Sequence, residues 1–212
     1  MQSKTITLGL FQTNCYILKG SYKNDSFVMV IDSGDEISEI NRNLPGPVTH
    51  IVLTHYHPDH IGALGFLKEE YPKAKILTGI HEQTTLDYVM KVAQIGYGPY
   101  FSTTVFATGG YTVPQPDERL KDGDEILGFK VLETPGHTAG SICLYNKENN
   151  TLYCGDTVFQ GSYGRTDLPG GNQAQLFTSI EKIMALDKST VIYPGHNEPT
   201  TVGNESCYYS FN

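Results

Sequence analysis

The sequence predicts an α/β fold in which two β-sheets pack against each other and carry helices on their outer faces. Apolar, strand-like runs fall into two sets, which are separated by an irregular stretch at residues 96–116. Helical patterns accompany both sets, and this arrangement favours two packed sheets over a single doubly wound sheet. A chain of 212 residues can bury a substantial core, so we expect one domain that spans residues 1–212.

The first set of strands begins with a predicted β-meander. Polar and apolar residues alternate at 5–10, and apolar runs follow at 15–18 and 27–31. A short helix is predicted at 36–43, where a Pro-Gly-Pro sequence ends it. The run at 48–53 is short, apolar and partly β-branched, as expected of a buried strand. Three further elements complete this half: an amphipathic helix at 61–71, a strand at 74–78 and a helix at 81–92.

Regular structure is not expected in the middle of the chain, at residues 96–116. Seven glycines and prolines interrupt this stretch, and a loop of this length in a compact domain is uncommon and often functional. Its aromatic residues include Tyr97, Tyr100 and Phe101, for which two interpretations stay open. They either line the mouth of a substrate site or anchor the loop to the core.

The second set of strands follows this irregular stretch. Strands are predicted at 125–133, in a hairpin at 141–154, and at 191–193. The run at 173–186 carries apolar residues at helical spacing and is predicted to be the final helix.

Charge and cysteine content restrict the expected partners and compartment. The net charge is -8 without a Lys/Arg cluster, which argues against nucleic acid and, more weakly, against anionic membranes. The N-terminus lacks the layout of a signal peptide, and no apolar run approaches the roughly 20 residues that span a bilayer. Four scattered cysteines without a C-x-x-C pair predict free, buried thiols in a reducing cytosol. We therefore expect a soluble, cytoplasmic protein with a small-molecule substrate; no feature indicates an oligomeric state.

The densest group of candidate ligands is the sequence THYHPDH at residues 54–60, directly after the buried strand at 48–53. Imidazole suits zinc, copper and iron, and a carboxylate adds a hard oxygen donor. On an extended chain, His55, His57 and Asp59 would point to one side and His60 to the other. One short loop is then able to serve two adjacent metal ions.

Three later strand ends carry the same kind of residue. His137, Asp156 and His196 each follow a glycine, which permits a tight turn beside a crowded centre. Five of the seven histidines lie at such strand ends; His50 and His81 do not, and we interpret them as surface or core residues. Asp32, at the end of the strand at 27–31, is either an ordinary turn residue or an acceptor that orients a metal ligand.

These motifs resemble the metallo-β-lactamase superfamily: THYHPDH is followed by PGHT at 135–138, GDT at 155–157 and PGH at 194–196. Finer motifs at 13–16, 154–159 and 161–167 are similar to glyoxalase II-related hydroxyacylglutathione hydrolases of the short, single-domain branch. The resemblance, which runs from about residue 5 to 205, implies an αββα sandwich of two mixed sheets and a single metallo-hydrolase domain. It also implies a ligand set: His55, His57 and His137 on one metal, Asp59, His60 and His196 on a second, and Asp156 bridging both. We expect two divalent ions, with zinc predicted and iron or manganese as alternatives.

The predicted reaction is hydrolysis of small 2-hydroxyacyl thioesters, S-lactoylglutathione-like compounds among them. A hydroxide bridging two ions is a nucleophile at neutral pH, and a thiol leaving group needs little protonation because its pKa is about 8.5. Asp59 and Asp156 are the candidate catalytic residues, as carriers of protons. Only sixteen residues follow His196, without Lys or Arg, so we expect weak discrimination on the thiol side. Arg165 either contacts substrate or braces its loop through Asp167.

Two other functions are compatible with parts of this pattern. Persulfide dioxygenases share the GRTD sequence at 164–167 but hold a single iron with two histidines and one aspartate. This chain keeps every ligand of a binuclear site, which favours the hydrolase. A non-catalytic metal-binding module is the third interpretation, and the intact ligand set argues against it.

Overall fold

A computed structural model describes residues 1–209 and contains two six-stranded sheets. The first sheet has the spatial order β1-β2-β3-β4-β5-β6. Its first three strands form an antiparallel meander, and the remaining pairs are parallel. The strands are β1 (Gln2–Leu8), β2 (Thr13–Tyr22), β3 (Asp25–Ile31), β4 (His50–Leu53), β5 (Lys75–Gly79) and β6 (Glu118–Leu120).

The second sheet has the spatial order β14-β13-β10-β9-β8-β7 and is antiparallel except for the β10–β13 pair. Two more strands, β11 and β12, form a separate short ribbon. The bounds are β7 (Glu125–Ile126), β8 (Phe129–Glu133), β9 (Ile142–Asn146), β10 (Thr151–Gly155), β11 (Val158–Phe159), β12 (Ser162–Tyr163), β13 (Val191–Pro194) and β14 (Thr200–Thr201).

Three apolar layers hold the helices and sheets together. The middle layer lies between the sheets and includes Met29, Val52 and Leu144. Because side chains alternate across a strand, neighbours such as Val30 point to the opposite face and pack with the helices there. These helices are α1 (Ile37–Asn43), α2 (Pro58–Ile61), α3 (Leu64–Glu70) and α4 (Leu86–Tyr97); α5 (Gln173–Met184) and α6 (Val202–Glu205) pack on the second sheet. The predicted αββα sandwich of two mixed sheets is therefore confirmed.

The middle of the chain is more regular than predicted. Helix α4 begins later than the helix predicted at 81–92, because the Thr85 side chain caps it by accepting from Tyr88 N, and it continues to Tyr97. Two 3₁₀ turns follow at Gly98–Thr103 and Val105–Thr108. Phe106 is only 2% exposed and packs in the core. The prediction of an irregular stretch is wrong for residues 96–108, because such turns need only local hydrogen bonds, which glycine and proline at their ends permit; residues 109–116 are irregular, as predicted. The helix predicted at 173–186 ends at Met184. It is not the final helix, because the short α6 follows β13 and β14.

The ends of several strands from both sheets meet at one edge of the sandwich. The Ile142 N–H donates to the Thr54 carbonyl at 3.0 Å, and Asn14 N–H donates to the Gly195 carbonyl at 2.7 Å. Gly155 has φ +49°, and a Cβ there would lie 2.3 Å from Thr54 Oγ1. Only glycine allows this approach, which brings the turns after β4 and β10 into contact.

Two further expectations concern cysteines and membranes. All four cysteines are free; Cys15, Cys143 and Cys154 are buried as predicted, whereas Cys207 is exposed on α6's C-terminal side. Within residues 1–209, no helix has both the length and the apolar character that crossing a membrane requires.

Leu144→Ala should lower the free energy of unfolding by about 2–5 kcal/mol, because it leaves a cavity between the two sheets. Leu144 is 0% exposed, whereas Ile80 is 42% exposed, so Ile80→Ala should change this free energy by less than about 0.5 kcal/mol. Urea unfolding measures both variants. Equal effects of the two substitutions would contradict the assignment of the inter-sheet core.

Candidate metal centre

Seven histidine and aspartate side chains converge at the edge where the strand ends meet. Six of them form two groups of three, in each of which one ligand atom per residue lies within 4.8 Å of the others; the seventh is Asp156. The first group, called here the three-histidine group, comes from the turns after β4 and β8 and consists of His55, His57 and His137. The second, called the mixed group, consists of Asp59 and His60 from α2 and His196 from the turn after β13.

The expectation that Asp59 points to the same side as His55 and His57 is wrong. Pro58 starts α2 at its first turn, where the missing N–H and fixed φ of proline suit a helix. Asp59 therefore leaves a helical turn rather than an extended chain, and its Oδ2 lies 3.5 Å from His60 Nε2 and 3.3 Å from His196 Nε2. The helix thus places the carboxylate in the mixed group, as the family resemblance implied.

Asp156 lies between the two groups. Its Oδ2 is 3.5 Å from His137 Nε2 and 3.4 Å from His196 Nε2, and its Oδ1 is 3.4 Å from His60 Nε2. Donor atoms that bind one tetrahedral zinc at about 2.0–2.1 Å lie about 3.3–3.4 Å apart. The spacing of these atoms therefore suits shared divalent cations, with Asp156 adjoining both groups.

Most of the ligand atoms of these residues are buried and have no hydrogen-bond partner within residues 1–209. Nε2 of His55, His57, His60 and His137 and Oδ1 of Asp156 are buried without a hydrogen bond. An unsatisfied buried polar atom costs about 1–3 kcal/mol, and here five of them face one another. This donor set of imidazoles and carboxylates fits divalent metal ions.

Hydrogen bonds on the opposite ring nitrogen fix two of the histidine tautomers. His137 Nδ1 donates to the Arg165 carbonyl at 2.7 Å, and His196 Nδ1 donates to the Phe11 carbonyl at 2.9 Å. A carbonyl oxygen only accepts, so each Nδ1 carries a proton, and Nε2 is the ring nitrogen that faces the centre and is placed to bind a cation.

Asp32 orients ligands, which decides between the two interpretations of this residue. Its carboxylate accepts from Thr54 N at 2.8 Å, Thr54 Oγ1 at 2.7 Å and His60 Nδ1 at 3.0 Å. Thr54 Oγ1 in turn lies 3.0 Å from His55 Nδ1. Asp32 also lies within 4.8 Å of ring nitrogens of His55 and His60, but its oxygens are already engaged by donors. We therefore do not assign it as a metal ligand.

The two groups differ in their protonation. Burial lowers the pKa of His55, His57 and His137, so these imidazoles are neutral and ready to bind a cation at neutral pH. In the mixed group, burial also opposes protonation, but Asp156 and Asp59 outweigh it and raise the pKa of His196 to about 10. A cation that binds the mixed group must therefore displace protons.

A cavity of about 380 Å³ opens above the ligands. Its walls are mainly apolar and include Phe11, Phe159, Tyr163 and Leu168. Arg165 also lines it and forms a two-pronged ion pair with Asp167 at 2.6 and 2.7 Å. Arg165 therefore braces its loop, as one interpretation predicted, and also lines the cavity; its contact with substrate stays a prediction.

The three predicted aromatic substrate residues lie outside the wall of this cavity, which Gly96 reaches instead. Tyr97 is buried behind Phe11, with ring centroids 4.8 Å apart. Tyr100 is 58% exposed, and Phe101 is partly buried against the helix-side core. A role for these residues in substrate recognition stays a prediction.

Four wall residues were not predicted from sequence. Phe159 and Tyr163 lie inside the motifs at 154–159 and 161–167, and Phe11 precedes the motif at 13–16. Their position in or beside these motifs could have indicated that they lie near the site. No motif in the sequence indicates Leu168.

His50 and His81 lie outside both ligand groups, as predicted. His50 is half-buried beside Thr49 Oγ1, and His81 is exposed.

The chain combines an αββα sandwich with histidine and aspartate ligands at the edge between its sheets. This combination is that of a metallo-hydrolase. The sequence profile of the Metallo-beta-lactamase superfamily matches residues 8–196, and the chain belongs to that superfamily.

Relatives and solved structures match nearly the whole chain. The Bacillus subtilis protein named "Probable metallo-hydrolase YqgX" is 34% identical, over 97% of this chain and 94% of that protein. "Hydroxyacylglutathione hydrolase GloC" of Haemophilus influenzae is 30% identical, over 97% of this chain and 95% of that protein. The crystal structure of TTHA1623 in a di-iron-bound form has a TM-score of 0.78 and 29% identity, over 99% of this chain and 100% of that chain.

Asp156→Ala should reduce metal content from near two equivalents per chain to less than one, because Asp156 adjoins both ligand groups. His81→Ala is the control and should leave the metal content unchanged, since His81 is exposed and its ring lies 3.9 Å from Glu133, outside both ligand groups. Elemental analysis of protein purified without chelator measures both. Full occupancy in Asp156→Ala would contradict the shared position of this carboxylate.

The pH dependence of stability should report on Glu82, which accepts from Tyr56 N at 3.3 Å and Thr138 Oγ1 at 2.6 Å. Burial raises the pKa of Glu82 from 4.5 to about 7. The folded state therefore binds this proton more tightly, so its stabilisation is complete below pH 4.5 and is lost as the pH rises through 7.

For the metal-free protein, this loss amounts to about 3 kcal/mol across that window. Glu82→Gln cannot ionise, so its free energy of unfolding should change less between pH 5 and pH 8 than that of the wild type. Urea titrations at both pH values provide the comparison. Identical pH slopes in the two proteins would show that Glu82 does not titrate in this range.

Proposed function

We propose that this protein hydrolyses small 2-hydroxyacyl thioesters, S-lactoylglutathione-like compounds among them, at a centre of two divalent ions. The observation that carries the proposal is the position of Asp156 between two ligand groups, beneath a cavity large enough for a small molecule. Support also comes from the GloC relative, whose name is hydroxyacylglutathione hydrolase.

Two bound divalent ions would lower the pKa of a coordinated water from 15.7 toward about 7 and polarise the substrate carbonyl. The chain's own residues provide the geometry for this step. Asp32 and the carbonyls of Phe11 and Arg165 hold the imidazoles in the orientation that directs Nε2 to the centre. Orientation set before the reaction costs no rearrangement during it.

Asp59 and Asp156 are the groups within the centre that are able to hold and pass a proton. Burial raises their pKa values, but the neighbouring histidines outweigh burial and keep both carboxyls ionised. Each is therefore ionised at neutral pH and, as a weak base, would hold a proton only transiently. The leaving thiolate needs no general acid because the pKa of a thiol is about 8.5, which favours a thioester over an amide as substrate.

The cavity walls support weak discrimination on the thiol side. Phe11, Phe159 and Leu168 offer apolar contact, which does not distinguish strongly between thiols of similar size. Arg165 is the cation that lines the cavity, and Asp167 already occupies its guanidinium. An anionic thiol group would have to compete with that ion pair.

Zinc is the proposed metal, with iron or manganese as alternatives. TTHA1623 has been solved with two irons, which keeps iron beside zinc as a candidate. A mononuclear-iron persulfide dioxygenase remains the alternative reaction, and it would need only two histidines and one carboxylate. This chain also has Asp59, His60 and His196, a second set of ligands beyond what a single iron would need. Their presence favours the hydrolase.

A panel of lactoyl thioesters that differ only in the thiol should be hydrolysed with kcat/KM values within about tenfold of one another, a spread of about 1.4 kcal/mol. The assay uses one preparation loaded in turn with zinc, iron or manganese, and Asp156→Ala serves as the inactive control. Low micromolar KM for the glutathione thioester alone would contradict weak discrimination. Oxygen uptake with glutathione persulfide, without thioester hydrolysis, would assign the dioxygenase, and inactivity throughout would leave a metal-binding module.

A further inference from the structure

Residues 9–13, which comprise the loop between β1 and β2 and the first residue of β2 and are called here the 9–13 loop, hold two of the three side chains of the mixed group. The Phe11 carbonyl accepts from His196 Nδ1 at 2.9 Å. Thr13 Oγ1 donates to Asp59 Oδ2 at 3.0 Å. One segment of five residues thus orients a carboxylate and a histidine, Asp59 and His196, that lie far apart in the sequence.

The three-histidine group is oriented by other elements. His55 Nδ1 lies 3.0 Å from Thr54 Oγ1, and His137 Nδ1 donates to the Arg165 carbonyl. His55, His57 and His137 are at most 3% exposed, whereas the side chains of His196 and Asp59 are 19% and 18% exposed. The mixed group is therefore the more open of the two and has the 9–13 loop as its support.

The loop is fixed at both ends, so its contacts are not easily replaced. Gln12, at φ +56°, donates its N–H and its Nε2 to the Gly9 carbonyl at 3.2 and 2.9 Å. Gly9 N donates to Glu36 Oε1 at 2.9 Å. At the other end, Asn14 Nδ2 donates to the carbonyls of Pro194 and Asn197 at 3.1 and 2.8 Å, which ties the start of β2 to the turn that carries His196.

Thr13 itself is 1% exposed. Removing its hydroxyl would leave Asp59 Oδ2 without this donor. The 9–13 loop also contributes the Phe11 ring to the cavity wall, so the same segment contacts the space for substrate and the ligands below it.

We propose that Thr13 is a positioning residue that sets the affinity of the mixed group for its metal ion, independently of the three-histidine group. Its hydroxyl fixes the rotamer of Asp59, so that Oδ2 faces His60 and His196 while the Phe11 carbonyl orients His196. This inference rests on the proposed two-ion centre. Partners of this kind typically alter metal affinity by about 10–100-fold.

The test is a titration of metal-free protein with Co²⁺ alone, followed by the visible absorption of the bound ion, and repeated with Zn²⁺ by competition against a chelator. Thr13→Val keeps the β-branched shape and removes the hydroxyl, whereas Thr13→Ser keeps the hydroxyl. We expect Thr13→Val to bind the first equivalent as the wild type does and the second about 10–100-fold more weakly, with a changed cobalt spectrum. Thr13→Ser should restore the second equivalent and its spectrum.

Thr200→Val is the matched control, because Thr200 is also a buried threonine whose hydroxyl donates to a carboxylate, Glu205 Oε1, at 2.6 Å. It should leave both equivalents unchanged. Thr13→Val with unchanged affinities, or with both equivalents weakened alike, would overturn the inference, and failure of Thr13→Ser to restore binding would do the same. A wild type that binds only one equivalent would overturn the proposed two-ion function together with this inference, whereas a two-equivalent wild type isolates the role of Thr13.

Discussion

The structure depends on a buried set of nitrogen and oxygen ligand atoms that face one another. Within residues 1–209, these atoms have no hydrogen-bond partner. Burying polar atoms in this state is costly, and the alternative of protonating them is limited because burial lowers the pKa of His55, His57 and His137. Cations offset this cost by satisfying the lone pairs of Nε2 on these rings. The constraint explains why the hydrogen bonds to His60, His137 and His196 engage Nδ1, the ring nitrogen that faces away from the centre.

The sandwich meets this constraint by bringing the ends of strands from two sheets to one edge. Three apolar layers fix the sheets and helices, so the turns after β4, β8, β10 and β13 keep constant relative positions. Close contacts at Gly155 and Gly195 leave no room for a side chain; a Cβ at Gly195 would lie 2.1 Å from Asp156 Oδ1. Rigid packing of this kind holds ligand atoms at the separations that a metal ion requires.

The two ligand groups are unequal, and the inequality has a chemical consequence. The three-histidine group is neutral and buried, whereas the histidines of the mixed group lie beside Asp59 and the shared Asp156, which raise their pKa values. Cations and protons therefore compete at the mixed group. The cavity lies above both groups, so a bound small molecule would adjoin both of them.

The sequence by itself determined the layered α/β class and the metal-binding character of the strand ends, because both follow from local patterns. Apolar runs indicated the strands, and the residues after them, such as His55 and His137, carried the ligand chemistry. The tertiary structure decided what depends on contacts between distant segments. Asp32 became an acceptor only because β3 and β4 are neighbours, and Asp59 turned toward His196 because Pro58 starts a helix. The cavity wall also escaped sequence reasoning: Phe11 reaches it from the first hairpin and Leu168 from a late loop, and no local pattern encodes that meeting of residues far apart in the chain.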